Sequence, residues 1–234
     1  MPDGVSALPA AAAAAVVFGE RLPLAVRYAS ALGVFGVQRG LIGPREVDRL
    51  WERHLLNCAV IGEVIAAGAR VVDLGSGAGL PGLPLVLARP ELDITLLEPM
   101  ARRVAWLRKV IDELGVSVRV VRGRAEEPAV RDELGGVDVV VARAVAPLAR
   151  LAGWALPLLA DDGLLVAMKG ETAAAEVARD RAAVRALGGR AVRLLDCGEG
   201  IVDPLTRVVL VSRDTVPSGG AVRRDPGVPK RRRS

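Results

Sequence analysis

Five apolar runs in this sequence end in residues able to do chemistry. Residues 71–74 carry Asp73 and break into Gly75, Gly77 and Gly79, and residues 93–97 end at Glu98. Residues 116–121 lead to Gly123, Arg124, Ala125, Glu126 and Glu127, where a third strand's loop would face an adenine ring. Residues 137–142 deliver Arg143, and residues 163–168 deliver Lys169. A Gly-x-Gly-x-Gly turn lets the backbone bend sharply and lets a ligand lie against bare main chain. Glu98 follows Asp73 by about 25 residues, close to the ~20-residue spacing at which a carboxylate reaches a ribose in nucleotide-binding sheets. Its two acceptor oxygens match a vicinal diol. Arg143 and Lys169 are cations suited to a ligand carboxylate, a phosphate or guanine O6. For both, an ion pair with Asp73 or Glu126 is the architectural alternative.

Three ligands compete for the glycine turn. A phosphate cradle fails, because no Lys-Ser/Thr pair follows the glycines. A dinucleotide is harder to dismiss, since Gly77, Gly79 and Gly82 spell Gly-x-Gly-x-x-Gly. Counting from Gly75, the first glycine after the apolar run, puts Leu80 where the third glycine belongs. Asp73, two residues before Gly75, resembles the E/DxGxGxG motif of class I S-adenosylmethionine (AdoMet) methyltransferases and favours AdoMet. Glu98 serves either adenosine ligand, so loop and carboxylate leave that choice open, and a ligand-free glycine turn remains a third possibility.

Bringing these residues to one edge requires a parallel sheet. The apolar runs alternate with helical patterns at 83–89, 100–114, 144–156 and 172–187, and segments 190–196 and 206–213 form a closing antiparallel pair. Such alternation predicts a doubly wound, Rossmann-like α/β sheet with its ligand at the carboxyl ends of the strands. Ahead of it, residues 10–36 hold two apolar stretches at helical spacing, with Pro23 in a first turn. Val47, Leu50, Trp51, His54, Leu55, Ala59, Ile61 and Ile65 then mark a largely continuous amphipathic helix or two abutting ones. His54 and Asn57 lie on adjacent turns and are expected to form a buried hydrogen-bonded pair joining extension to sheet. The three tryptophans, Trp51, Trp106 and Trp154, fall on helices and are assigned to the core. The predicted organisation is a disordered start at 1–8, a helical extension at 9–68, a ligand-binding domain at 69–214 and a basic flexible tail at 215–234.

Composition narrows the function classes. Hydrophobic residues make up 51% of the chain and aromatics only 3%, so the core is built from Ala, Val and Leu. Cys58 and Cys197 lie far apart without CxxC spacing and His54 stands alone, which excludes most metal clusters. No apolar run approaches the ~18 residues needed to span a bilayer, and the apolar stretch at 10–17 lacks the basic flank of a secretion signal. A cytoplasmic monomer without metal or membrane attachment is expected. Arg223, Arg224, Lys230, Arg231, Arg232 and Arg233, set against Asp225, account for the whole formal net charge of +5. Such a tail suits RNA phosphates and equally a solvated, solubilising end.

Taken together, the motifs resemble the RsmG (GidB) family of 16S rRNA guanine-N7 methyltransferases. The matching stretches are 53–57 (Arg-His-Leu-Leu-Asn), 72–82 through the glycine turn and its Gly-Leu-Pro-Gly continuation, and Leu97-Glu98 followed by Arg102-Arg103-Val104. Further matches are 124–127, 142–144, 167–170 and the basic ending at 223–230. The resemblance covers roughly residues 20–230. It implies an AdoMet site at Gly75, Leu80, Ala125, Glu126 and Arg143, with Glu98 on the ribose. The residues themselves add Asp73 and Gly77 to the cofactor site and offer Arg143 and Lys169 as positioning cations for a carboxylate or phosphate. It implies a guanine in the 530 loop of 16S rRNA, or of the small ribosomal subunit, as target. One departure stands out: Gly40-Leu41-Ile42-Gly43-Pro44 replaces the family's common Asn-Leu-Thr segment. The chemistry is compatible, because guanine N7 offers an in-plane lone pair and no proton, so no base is needed and positioning can supply ~7–11 kcal/mol. A small-molecule AdoMet methyltransferase and a non-catalytic nucleotide-binding module are the rival classes.

Overall fold

In each central strand successive side chains point to opposite faces, and here both sets are apolar, so both faces must be covered. The computed structural model describes residues 10–214. The expected disordered start at 1–8 and the whole of the expected basic tail at 215–234 lie outside the described residues. The sheet contains β1 (Arg70–Leu74), β2 (Asp93–Leu97), β3 (Arg119–Val121), β4 (Val137–Arg143), β5 (Leu159–Met168), β6 (Gly189–Cys197) and β7 (Thr206–Arg213). Their spatial order is β3-β2-β1-β4-β5-β7-β6, with β7 antiparallel to both neighbours. The order reverses between β1 and β4, and crevices at such a switch point are where open α/β sheets take their ligands.

The helices are α1 (Ala10–Phe18), α2 (Leu22–Ala31), α3 (Asn57–Val60), α4 (Gly82–Ala88), α5 (Ala101–Leu114), α6 (Pro128–Leu134), α7 (Leu148–Ala155) and α8 (Ala173–Ala186). On one face Val71, Ile94, Leu96, Val139, Val141 and Val166 pack with α4, α5 and the whole N-terminal extension. On the other, Val72, Leu97, Val140, Ala142, Leu165 and Ala167 pack with α7 and α8. Tyr28, Leu32, Leu55 and Leu56 of the extension are among the largest fully buried side chains. At ~1.5–3 kcal/mol for each such side chain, the extension is an integral layer of the fold.

Two expectations need correction. The stretch after residue 44 is a helical run of changing winding: a 3₁₀ segment Pro44–Arg49, a π-helical segment Leu50–Leu56, α3, and a second 3₁₀ segment Ile61–Val64. His54, Leu55 and Leu56 are all buried, as are Cys58 to Gly62. A regular amphipathic helix cannot turn so many consecutive residues inward, and widened or tightened turns accommodate them. The helix expected from residue 144 begins at Leu148 instead, because Ala144 takes φ +52 and Pro147 is extended with ψ 150. Residues 144–147 are therefore a loop at the carboxyl edge of β4.

Candidate active site

The chain leaves β1 through Gly75, Gly77 and Gly79, with φ of +75, +57 and +109, values that L side chains rarely adopt. The loop is pinned from every side. The Gly75 and Ser76 amides donate to Leu97 O, and the Ser76 hydroxyl donates to Asp73 O. The Ala78 carbonyl accepts from the Tyr28 hydroxyl at 3.2 Å and from Trp106 Nε1 at 2.8 Å. The expected core place of Trp106 is met, and Trp51 packs edge-on against Phe18. Within this clamp Gly75, Gly77 and Leu80 stay half-buried while Ser76, Ala78 and Gly79 are buried. Alternate positions of the loop therefore offer main chain to a ligand.

Two carboxylates hold the loop to the sheet. Asp73 is fully buried, and its Oδ2 accepts from the Gly82 amide at 2.9 Å. A methyl group on Gly82 would meet that oxygen at 2.8 Å and Leu96 Cδ2 at 2.4 Å, so only glycine fits. Burial pushes the Asp73 carboxyl up to about 7, against the Gly82 amide that pulls it down. Its Oδ1 is buried without a hydrogen-bond partner, an acceptor left for a donor that the protein does not provide. Glu98 is 1% exposed. Its Oε2 accepts from the Gly77 amide and its Oε1 from the Met100 amide, each at 2.9 Å. Beyond β3, Ala125 is buried with its carbonyl accepting from Arg131 Nε, and Glu126 is exposed.

Strand parity separates the two cations that the sequence groups together. Arg143 continues the Val139–Val141 series and points into the layer of the extension. Its Nη2 donates to His54 Nδ1 at 2.5 Å and its Nη1 to Cys58 Sγ at 3.2 Å. His54 Nε2 in turn lies 2.9 Å from Glu46 Oε2. Lys169 follows Ala167 on the opposite face and meets α8, its Nζ 2.9 Å from Glu176 Oε1 and 2.8 Å from Ala146 O. Glu176 Oε1 also accepts from the Leu148 amide and Asp180 Oδ2 from the Ala149 amide, capping α7. Neither cation pairs with Asp73 or Glu126. His54 joins the extension to the sheet as expected, through Arg143 and not through Asn57.

Arg143, Ala144, Lys169 and Asn57 line a recess of about 720 Å³ at the carboxyl ends of β4 and β5. No residue of the glycine turn is among its walls, and Val145, next to Ala144, packs between the two against Gly75. The other walls of the recess include Arg49, Arg53, Glu46 and Glu52 from the extension, Glu171 from the loop after β5, Asp203 from the β6–β7 connection and Arg207 from the start of β7. Cations and carboxylates thus alternate around a groove large enough for a nucleotide. The sequence reading missed Glu46, Arg49, Tyr28 and Arg207. Glu46 and His54 are eight apart, about 12 Å along a regular α-helix, so no helical spacing announces the pair; the change from 3₁₀ to π winding brings them together. Among the described residues no group of three or more His, Cys, Asp or Glu is placed to hold a metal ion, and no helix is long and apolar enough to cross a membrane.

The family model described as GidB, rRNA small subunit methyltransferase G, matches residues 21–205. A relative from Rhodococcus jostii, named ribosomal RNA small subunit methyltransferase G, is 56% identical over 86% of this chain and 89% of its own length. Among solved structures, the CurJ carbon methyltransferase aligns with TM-score 0.54 at 16% identity, over 86% of this chain and 68% of that one. Aeropyrum pernix fibrillarin, solved with natively bound S-adenosyl-L-methionine, aligns with TM-score 0.50 at 19% identity, over 68% of this chain and 74% of that one. At these identities the two structures speak for the fold alone.

Proposed function

We infer the function from one premise: the chain belongs to the rRNA small subunit methyltransferase G (GidB) family. It is an AdoMet-dependent methyltransferase of small-subunit ribosomal RNA, on a class I methyltransferase fold with a helical N-terminal extension. The observation that carries the cofactor reading is the clamped glycine turn, half-open at Gly75, Gly77 and Leu80 above the unpartnered Asp73 Oδ1. These residues fit AdoMet, which offers a cationic amino group as donor and an adenosine to lie on the loop. Gly75, Gly77 and Leu80 supply main chain, Ala125 and Glu126 border the adenine, and Asp73 supplies charge beneath the turn. Glu98 receives the ribose diol, exchanging its bond to the Gly77 amide for a hydroxyl.

We assign the recess at the ends of β4 and β5 to the target nucleotide and N7 of a 530-loop guanine as the acceptor atom. When bound, AdoMet supplies a methyl group on a positively charged sulfur, and its arrival at N7 displaces no proton. The protein's task is then to hold and orient, and no side chain has to act as base. Arg143 and the recess arginines hold phosphate, while Glu52, Glu171 and Asp203 offset the positive charge gained by the methylated base. Lys169 keeps the 144–147 loop in place. Four assignments complete the reading: the domain bounds 9–68 and 69–214, an RNA-binding tail at 215–234, a monomeric state and a cytoplasmic location shared with the substrate.

Incubating the protein with methyl-labelled AdoMet and small-subunit particles or RNA tests the reading. Label at guanine N7 is the expected result, and no label on any ribosomal substrate overturns it. Calorimetry that detects NAD binding and no AdoMet binding would overturn the cofactor assignment separately.

A further inference from the structure

The single histidine of the chain sits between a carboxylate and a guanidinium, and the chemistry of those partners dictates its state. A guanidinium only donates hydrogen bonds. Arg143 Nη2, 2.5 Å from His54 Nδ1, therefore requires an unprotonated Nδ1 with its lone pair facing β4. The remaining proton is on Nε2, which donates to Glu46 Oε2 at 2.9 Å. His54 is 7% exposed, and burial, followed by the charge of Arg143, holds its pKa below the ordinary imidazole value. Glu46, Arg53, Arg143 and Cys58 are the polar groups around the ring. Glu46 belongs to the 3₁₀ segment, His54 to the π-helical segment and Arg143 to the tip of β4. The chain of bonds thus crosses from the extension's outer surface to the floor of the recess, and both Glu46 and Arg143 line that recess.

We propose that His54, braced by Glu46, is a positioning residue that fixes the Arg143 guanidinium in the nucleotide recess, making the irregular 44–56 segment a working part of the transfer site. The side chain of Arg143 has several rotatable bonds, and its freedom costs affinity unless something holds it. An acceptor at Nδ1 and a second at Cys58 Sγ leave the guanidinium one orientation, with its remaining N–H groups free for phosphate. A misplacement of ~1 Å at such a group can cost ~10²-fold in rate. The changed winding at 50–56 has a use here, because the widened turn brings His54 inward beside Leu55 and Leu56. This inference rests on the rRNA methyltransferase reading for the identity of what Arg143 holds.

Two measurements test it. With one histidine present, ¹⁵N-resolved imidazole spectra of the intact protein report its tautomer without ambiguity. The expected result is protonated Nε2 with a hydrogen-bonded, unprotonated Nδ1 that shifts in Arg143→Gln; a protonated Nδ1 overturns the proposal whatever the enzyme's activity. The second is a double-variant cycle on RNA methylation, using His54→Leu, Arg143→Gln and their combination. His54→Leu alone is expected to lower kcat/KM for RNA by roughly 10–100-fold, and the double variant to be no worse than Arg143→Gln. Losses that multiply show that His54 acts independently of Arg143 and overturn the proposal. If His54→Leu does not fold, Glu46→Ala and Glu46→Gln replace it. Glu46→Ala is expected to lose activity in the same non-additive way, with Glu46→Gln, which still accepts from Nε2, close to wild type; equal activity in all three contradicts the relay. Absence of transfer by the wild-type protein would remove the function reading itself, an outcome distinct from an additive cycle.

Discussion

The tips of β4 and β5 lie side by side and each ends in a cation, yet the two cations have different work. Arg143 inherits the parity of Val139 and Val141, so it turns toward the extension and enters the recess from the histidine side. Lys169 has the parity of Ala167, so it turns toward α7 and α8. There it clamps Ala146 O and Glu176, and Glu176 caps the helix that follows. The loop between them contains Ala144 at φ +52, an uncommon conformation for a residue with a Cβ. Such backbone persists only when its surroundings over-determine it, and Lys169 with Glu176 and Asp180 supplies that constraint. One residue of strand register sends Arg143 toward His54 and Lys169 toward Glu176, though both border the recess.

The contrast is sharpest under substitution. Arg143→Gln is expected to lower kcat/KM for RNA by about 100-fold while costing no more than about 1.5 kcal/mol of stability, the scale of a lost hydrogen bond. A large stability loss with intact kinetics would merge the two roles. Lys169→Met is expected to do the opposite. Its pair with Glu176 is 12% and 13% exposed, so removing it costs about 2 kcal/mol, below the ~3–5 kcal/mol of a fully buried pair. Denaturant unfolding measures this, and Lys169→Met/Glu176→Gln should recover part of the loss because the amide oxygen still caps Leu148. Unchanged stability with lost activity would instead place Lys169 on the ligand.

Acid distinguishes the two ends more gently. His54 is held below its ordinary value, so the unfolded chain takes up a proton more readily than the folded one. The stability this end contributes is present above about 6.5, the ordinary imidazole pKa, and is lost as the pH falls through the lower folded value. The stability difference between wild type and His54→Leu, measured by unfolding curves, should shrink as the pH falls from neutral, a comparison that cancels the opposite slope from Asp73, whose carboxyl is raised to about 7 in both proteins. The deficit of Lys169→Met should stay constant across the same range. The smallest expected effect lies in the tail: neutralising Arg231, Arg232 and Arg233 should flatten the salt dependence of RNA affinity by roughly 2 in log–log slope, leaving kcat unchanged. An unaltered slope would reject an RNA-binding tail.

Much of this arrangement was readable from the sequence, and the unread part has physical reasons. The parallel strands, the glycine turn and the alternating helices show in apolar runs and breakers because burial on both faces demands them. Parity could even have told Arg143 from Lys169, by counting from Val139 and from Ala167. The winding of residues 44–64 could not be read, because the unbroken burial at 54–56 and 58–62, next to exposed residues at 44–45, 48–49 and 52–53, leaves no single periodicity. Glu98 and Asp73 were legible as carboxylates at strand ends. Their bonds to the Gly77 and Gly82 amides depend on the path of a loop whose glycines permit many paths. Glu176 lies across a crossover from Leu148, and no local pattern announces that meeting.

One comparison tests the central claim most directly: the methylation map of small-subunit rRNA from cells with and without this protein. A single guanine in the 530 loop carrying an N7 methyl group only when the protein is present is the expected result. Identical maps from the two cultures would contradict the assignment of this fold, turn and recess to rRNA methylation.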